Sequence, residues 1–184
     1  MAKMFGRTEI KNTILAAFFM VFAVVFPQIF HMVGGVALGR MLLPMLFPIL
    51  LGAFFLPPKF AATVGIFAPI LSNFYTGGAM PPPFPNLPVL MIEFGLFALL
   101  VSALRTKLKN PFEILIISLF AGKMFTLVLA WLLATINPPF FAPVFGFVSV
   151  QLTGGLPGMA WQIVAIPFIV KAVTAATKRY NNGG

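Results

Sequence analysis

The chain has 184 residues, of which 60% are hydrophobic and 8% charged, and its mean hydropathy is +1.05. Soluble domains carry about 25% charged residues, so this composition excludes a soluble globular fold and predicts an all-α integral membrane protein, with 1–184 as one transmembrane domain. The absence of Cys among these residues excludes disulfides and thiolate chemistry, and a single His beside three acids (Glu9, Glu93 and Glu113) argues against a zinc cluster or a Ser-His-Asp triad.

Six apolar runs follow one another along the chain. The first covers 10–30 and contains Pro27. It is too long for a signal-peptide core and lacks a small-residue cleavage site, so it reads as a retained span. The second, 41–56, carries Pro44 and Pro48. The third, 59–75, follows a "PPK" turn. The fourth is 87–104, the fifth 111–136 and the sixth 156–173, with Pro167 inside it. A perpendicular span needs about 20 residues, so the short second and third runs are expected to join tightly at one face. The runs are continuous rather than alternating, which argues against barrel strands.

The net charge of +9 reads as a topology signal and not as a nucleic-acid footprint. With a cytoplasmic N-terminus, the inner side receives Lys3, Arg7, Lys11, Lys59, Arg105, Lys107, Lys109, Lys171, Lys178 and Arg179. The outer side receives only Arg40, while Lys123 lies within a span. This bias places six spans with both termini inside. The outer connections are rich in Gly, Pro and Phe: "HMVGGVALGR", "TGGAMPPPFPN" and "NPPFFAPVFGFVSVQLTGG". The last is long for a plain connection, and long structureless loops are often lids or binding loops.

Few polar groups lie within or just outside the spans. The candidate substrate-binding residues are Glu93, Lys123, His31, Arg40, Asn73, Tyr75, Trp131, Gln151 and Trp161, with Gln162 beside them. A charge near the middle of an inserted helix costs roughly 2.5–3.5 kcal/mol, so Glu93 in "VLMIEFGLFALL" needs an offset or a function. It sits about six residues, roughly 9 Å, below the outer start of its span. Lys123 lies at similar depth on the fifth run. The pair can floor an outward cavity, or the two can neutralise each other without a ligand. Arg40 can snorkel to the interface, His31 can be a helix-end residue, and the two Trp can be belt or packing residues. Glu113, just after Pro111, fits a first-turn cap.

No nucleotide-binding loop and no HExxH motif is present, so the chain is expected to be neither an ATPase nor another enzyme, and to need no cofactor. A self-sufficient channel or secondary transporter, or a structural membrane protein, remains open on the residues alone.

The run from His31 to Gly95 resembles the substrate-binding S components of energy-coupling factor (ECF) transporters. It is carried by "HMVGGVALGRMLLPMLFPILLGAFF", "VGIFAPILSNFYTGGAMPPPFP" and "LMIEFG". The resemblance implies a bacterial cell-membrane subunit that binds a vitamin-like solute in an outward cavity. It further implies a transmembrane T subunit and two cytoplasmic ATPases as partners. Family members often dock to the T subunit through an AxxxA face on the first helix. Here Thr13, Ala16 and Ala17 are the small residues available for that docking. In the fifth span "AGKM" places Lys123 where an Arg is common in the family, which keeps the charge but not a bidentate fork. The residue types suit a small heteroaromatic solute, pyridoxine-like, nicotinate-like or deazapurine.

Overall fold

A computed structural model describes residues 2–78 and 85–182, apart from the side chains of residues 2–5, 36, 40 and 180–182. All of its regular structure is helical: α1 (Ala2–Leu42), α2 (Leu46–Ala53), α3 (Pro58–Tyr75), α4 (Asn86–Leu104), α5 (Pro111–Ile136), α6 (Pro138–Gly154) and α7 (Leu156–Asn182). Among the described residues, four stretches are long and apolar enough to cross a membrane: Gly6–Gly35, Asn86–Leu104, Pro111–Ile136 and Leu156–Arg179. The all-α membrane class expected from composition therefore stands.

The first departure from expectation is at Gly35, where φ is +64° and ψ −163°. Only glycine takes up that backbone cheaply. The helix bends sharply there, so Gly39 lies against the imidazole of His31. A straight helix would hold residues eight apart about 12 Å from each other. Beyond the bend the chain runs antiparallel to its own first limb. Phe26 stacks on Phe47 at 5.4 Å and Phe19 on Phe55 at 6.4 Å.

That returning limb is broken a second time. Pro44 has no N–H and disfavours the helical region for the residue before it. Leu43 accordingly sits at φ +48°, and the amide of Leu46 turns to the Leu43 carbonyl at 3.0 Å. The expected second span, 41–56, is thus a short bent piece followed by α2. All eight residues of α2 are buried, so it is an internal wedge rather than a lipid-facing span.

Helices α3 and α4 pack antiparallel at very close range. A Cβ built on Gly65 would lie 2.4 Å from the Phe94 carbonyl oxygen and 2.8 Å from Gly95 Cα. The two glycines let the backbones touch, as small residues do between helices in lipid. Backbone cannot move aside as a side chain can, so Gly65→Ala is expected to destabilise by about 1–3 kcal/mol through overpacking. Gly146→Ala, where a Cβ meets nothing within 4 Å, is the control. Equal unfolding midpoints for the two variants would refute the close approach.

The start of α5 follows its sequence signal. The Asn110 side chain accepts from the Phe112 amide at 3.2 Å and donates to Glu113 Oε1 at 3.1 Å, a reciprocal cap with Pro111 at the first helical position. Phe112 meets Phe168 edge-on at 6.1 Å and lies under the Lys171 ammonium at 5.1 Å, which sets α7 antiparallel to α5. The stretch read as a long outer loop is instead mostly α6. Val144 and Val148 bury against Val89 and Ala130 in a second, smaller apolar cluster. Pro138 and Pro139 start this helix at positions where Pro is tolerated, so a motif that looks like a breaker serves as a helix start.

Candidate functional site

A cavity of about 680 Å³ lies between α1, the returning segment after Gly35, α3, α4 and α6. Its polar walls are His31, Ser72, Asn86 and Gln151, and its aromatic walls are Phe94 and Phe147. Pro27 and Gly39 stand on either side of the bend, and Leu43, Pro44 and Met45 bring the second break to the wall. Non-helical backbone is tolerated at membrane depth only where it is buried in protein or lines a cavity; the break at Leu43 and Pro44 lines this one, whereas Gly35 at the bend is exposed. The His31 ring nitrogen Nδ1 sits 3.4 Å from the Gly35 carbonyl. Asn86 Oδ1 is buried and has no hydrogen-bond partner among the described residues.

Glu93 and Lys123 meet inside the bundle. The ammonium donates to Glu93 Oε1, and the two residues are 1% and 3% exposed. The Lys123 ammonium also lies 5.9 Å from the Phe97 ring centre, and Gly122 leaves the space that Phe97 occupies. Neither Glu93 nor Lys123 is among the described residues of the cavity wall. Glu93 is next to Phe94 in sequence, but one residue is a turn of about 100° on a helix. Lys123 satisfies one carboxylate oxygen, and Oε2 has no partner among the described residues.

Trp161 and Gln162 act on the break at Leu42–Leu43. The turn to Leu43 releases the Leu42 carbonyl from the helical ladder. Trp161 Nε1 donates to it at 3.0 Å, and Gln162 Nε2 donates to it at 3.2 Å and to the Leu43 carbonyl at 3.1 Å. The Trp161 ring also stacks on Phe47 at 4.7 Å. Gly158 lets α7 reach this backbone, since a Cβ there would lie 2.7 Å from the Leu42 carbonyl oxygen. At the far end of α2, Ser102 Oγ donates to the Leu56 carbonyl at 2.6 Å and Arg105 Nη1 to that of Phe54. Partial burial lowers the Arg105 pKa from its ordinary value. Both ends of the buried wedge are therefore held by side chains of neighbouring helices.

No family model matches this chain, no curated protein is significantly similar to it, and no solved structure matches it significantly.

Of the substrate-binding candidates read from the sequence, His31 and Gln151 stand on the cavity wall. Glu93 and Lys123 pair behind it, and Trp161 holds backbone. Asn73 is half-buried, whereas Tyr75 (68% exposed) and Trp131 (54%) point away from the bundle interior. The Arg40 side chain falls outside the described residues. Among the docking candidates, Ala16 is buried in the main core, while Thr13 and Ala17 are exposed. The sequence reading missed Asn86 and Ser72. Asn86 stands in "FPNLP", which reads as a loop end, and nothing in that pattern marks an inward-facing amide.

Proposed function

We propose that this chain captures a small solute in the 680 Å³ cavity and serves as the substrate-binding S component of an ATP-driven ECF-type importer. On this reading it crosses a bacterial cell membrane six times with both termini cytoplasmic. The broken limb of residues 36–53, which would cross inside the bundle and away from lipid, and α3 complete the set begun by the four long apolar helices. The cavity mouth then faces outward. A T subunit meets the exposed face of α1 at Thr13 and Ala17, and partner ATPases supply the energy. The observation that carries the reading is the cavity itself. Its volume falls in the range of about 300–1,000 Å³ typical of small-molecule sites, and broken helices wall it, as in many membrane solute sites. The motif resemblance between His31 and Gly95 supports the choice of partners.

Native mass spectrometry of the protein purified from rich medium tests this. One small molecule per chain is the expected result. Gly146 lines the cavity and faces open space, so Gly146→Trp should empty it without lowering the melting temperature. Protein that carries no solute from any medium would overturn the binding role. Solute uptake by proteoliposomes containing this chain alone would overturn the subunit role and favour a secondary transporter.

A further inference from the structure

We infer that the first turns of α1 bind one anionic phospholipid, with its phosphate between Arg7 and Lys11 and an acyl chain along Ile14 and Phe18. The inference is independent of the solute cavity and needs only that α1 crosses a membrane. An open groove of about 780 Å³ runs along this part of the helix, and both basic residues line it. They are four residues apart, so they stand one above the other on one face. Both are exposed, and neither makes an ion pair among the described residues. The three acids of the chain are Glu9, Glu93 and Glu113, and none is placed to supply a counter-charge. Glu93 pairs with Lys123, and Glu113 caps α5 with Asn110. Glu9 lies about 160° round the helix from Arg7 and from Lys11. Two cations therefore sit side by side with their charge unmatched.

The rest of the groove is apolar. Ile14 and Phe18 are 65% and 60% exposed, and Leu15 between them is partly buried against the core. From Lys11 to His31 the helix rises about 30 Å, the thickness of the hydrocarbon core. The Lys11 ammonium thus stands at headgroup level, with Arg7 one turn further out and Ile14 and Phe18 at the depth of the upper acyl chain. A phosphodiester there accepts from the guanidinium fork and from the ammonium together, while the long stems of both side chains lie along apolar surface. A soluble anion would leave Ile14 and Phe18 unused. The other faces of α1 do not compete for this one. Ala16, Phe19 and Ala23 turn into the core, and Thr13 and Ala17 lie more than about 100° from the middle of the groove.

The full chain in detergent, supplied with equal amounts of phosphatidylglycerol and phosphatidylcholine and read by native mass spectrometry, tests the site. One phosphatidylglycerol per chain is expected, retained at least about tenfold over phosphatidylcholine, since each basic residue near an anionic headgroup is worth about fivefold. Arg7→Gln combined with Lys11→Gln should lower retention about 20-fold. Its melting temperature should not move, because both side chains are exposed and unpaired. Lys178→Gln combined with Arg179→Gln removes the same charge from exposed positions on α7, at the same end of the bundle but outside the groove, and should leave retention unchanged. An equal loss in that second pair would mean diffuse attraction to a basic surface and overturns the site. Retention of both lipids alike also overturns it and leaves the groove to a protein partner. Glycerophosphoglycerol, the headgroup without its chains, should fail to displace the lipid at equal concentration; displacement would assign the groove to a soluble phosphate and sink the lipid reading.

Discussion

Lys123→Met should destabilise the protein by about 3–5 kcal/mol, the usual loss when one partner of a buried ion pair is removed. The carboxylate of Glu93 is 1% exposed, and its only described partner is Lys123. Thr126 cannot replace it, since its hydroxyl already donates to the Gly122 carbonyl at 2.9 Å. Glu93→Met should cost a similar amount by stranding the ammonium against the Phe97 ring. The double variant is expected to recover most of the loss, because a buried pair replaced by apolar residues of similar volume is often neutral. Unfolding midpoints of the four proteins in one detergent give the coupling energy directly. Single variants that each cost under about 1 kcal/mol would place the pair among the weak, water-exposed kind. The cavity wall should not notice the double change, so solute retention at Gly146 and Asn86 should survive it. Loss of solute in a well-folded double variant would return Glu93 to a ligand role.

The second large effect should appear at the helix break. Trp161→Phe keeps the stack on Phe47 and removes one donor to the Leu42 carbonyl. Gln162→Leu removes the other donor together with an Oε1 atom that has no partner among the described residues. Each single change leaves the Leu42 carbonyl with one side-chain donor, so each should cost about 0.5–1.5 kcal/mol, the net worth of a hydrogen bond. The double variant strips that carbonyl of both donors inside an apolar bundle, where an unsatisfied backbone group costs several kcal/mol. Its loss should therefore exceed the sum of the singles by roughly 1–2 kcal/mol, within the span of coupling energies for residues that share a partner. Strict additivity would mean that water reaches Leu42 and that the two side chains do not share the task. Because Leu43 and Pro44 line the cavity, the double variant should also loosen solute binding.

Composition alone was enough for the membrane class and the helical content, because a bilayer leaves a chain this apolar few ways to satisfy its backbone. The ends of α3, α4 and α5 were legible to within a residue, since Pro58, Asn86 and the Asn110–Glu113 cap are local signals. Two segments were not. The stretch at 137–155 reads as a loop by its Gly and Pro content, yet Pro138 and Pro139 begin a helix whose valines find an apolar partner on α5. The second run reads as a span, yet Pro44 and the positive φ at Leu43 break it, and only donors on α7, about 120 residues away in sequence, make the break tolerable. The fate of the charges was likewise a tertiary matter. The sequence shows that Glu93 and Lys123 share a depth; which way each turns on its helix depends on packing. The contact that neutralises them is made between helices, and the same rotation keeps both off the described cavity wall. Local signals fix where helices start and stop, while the facing of a side chain on a nearly uniformly apolar helix is decided only by what packs against it.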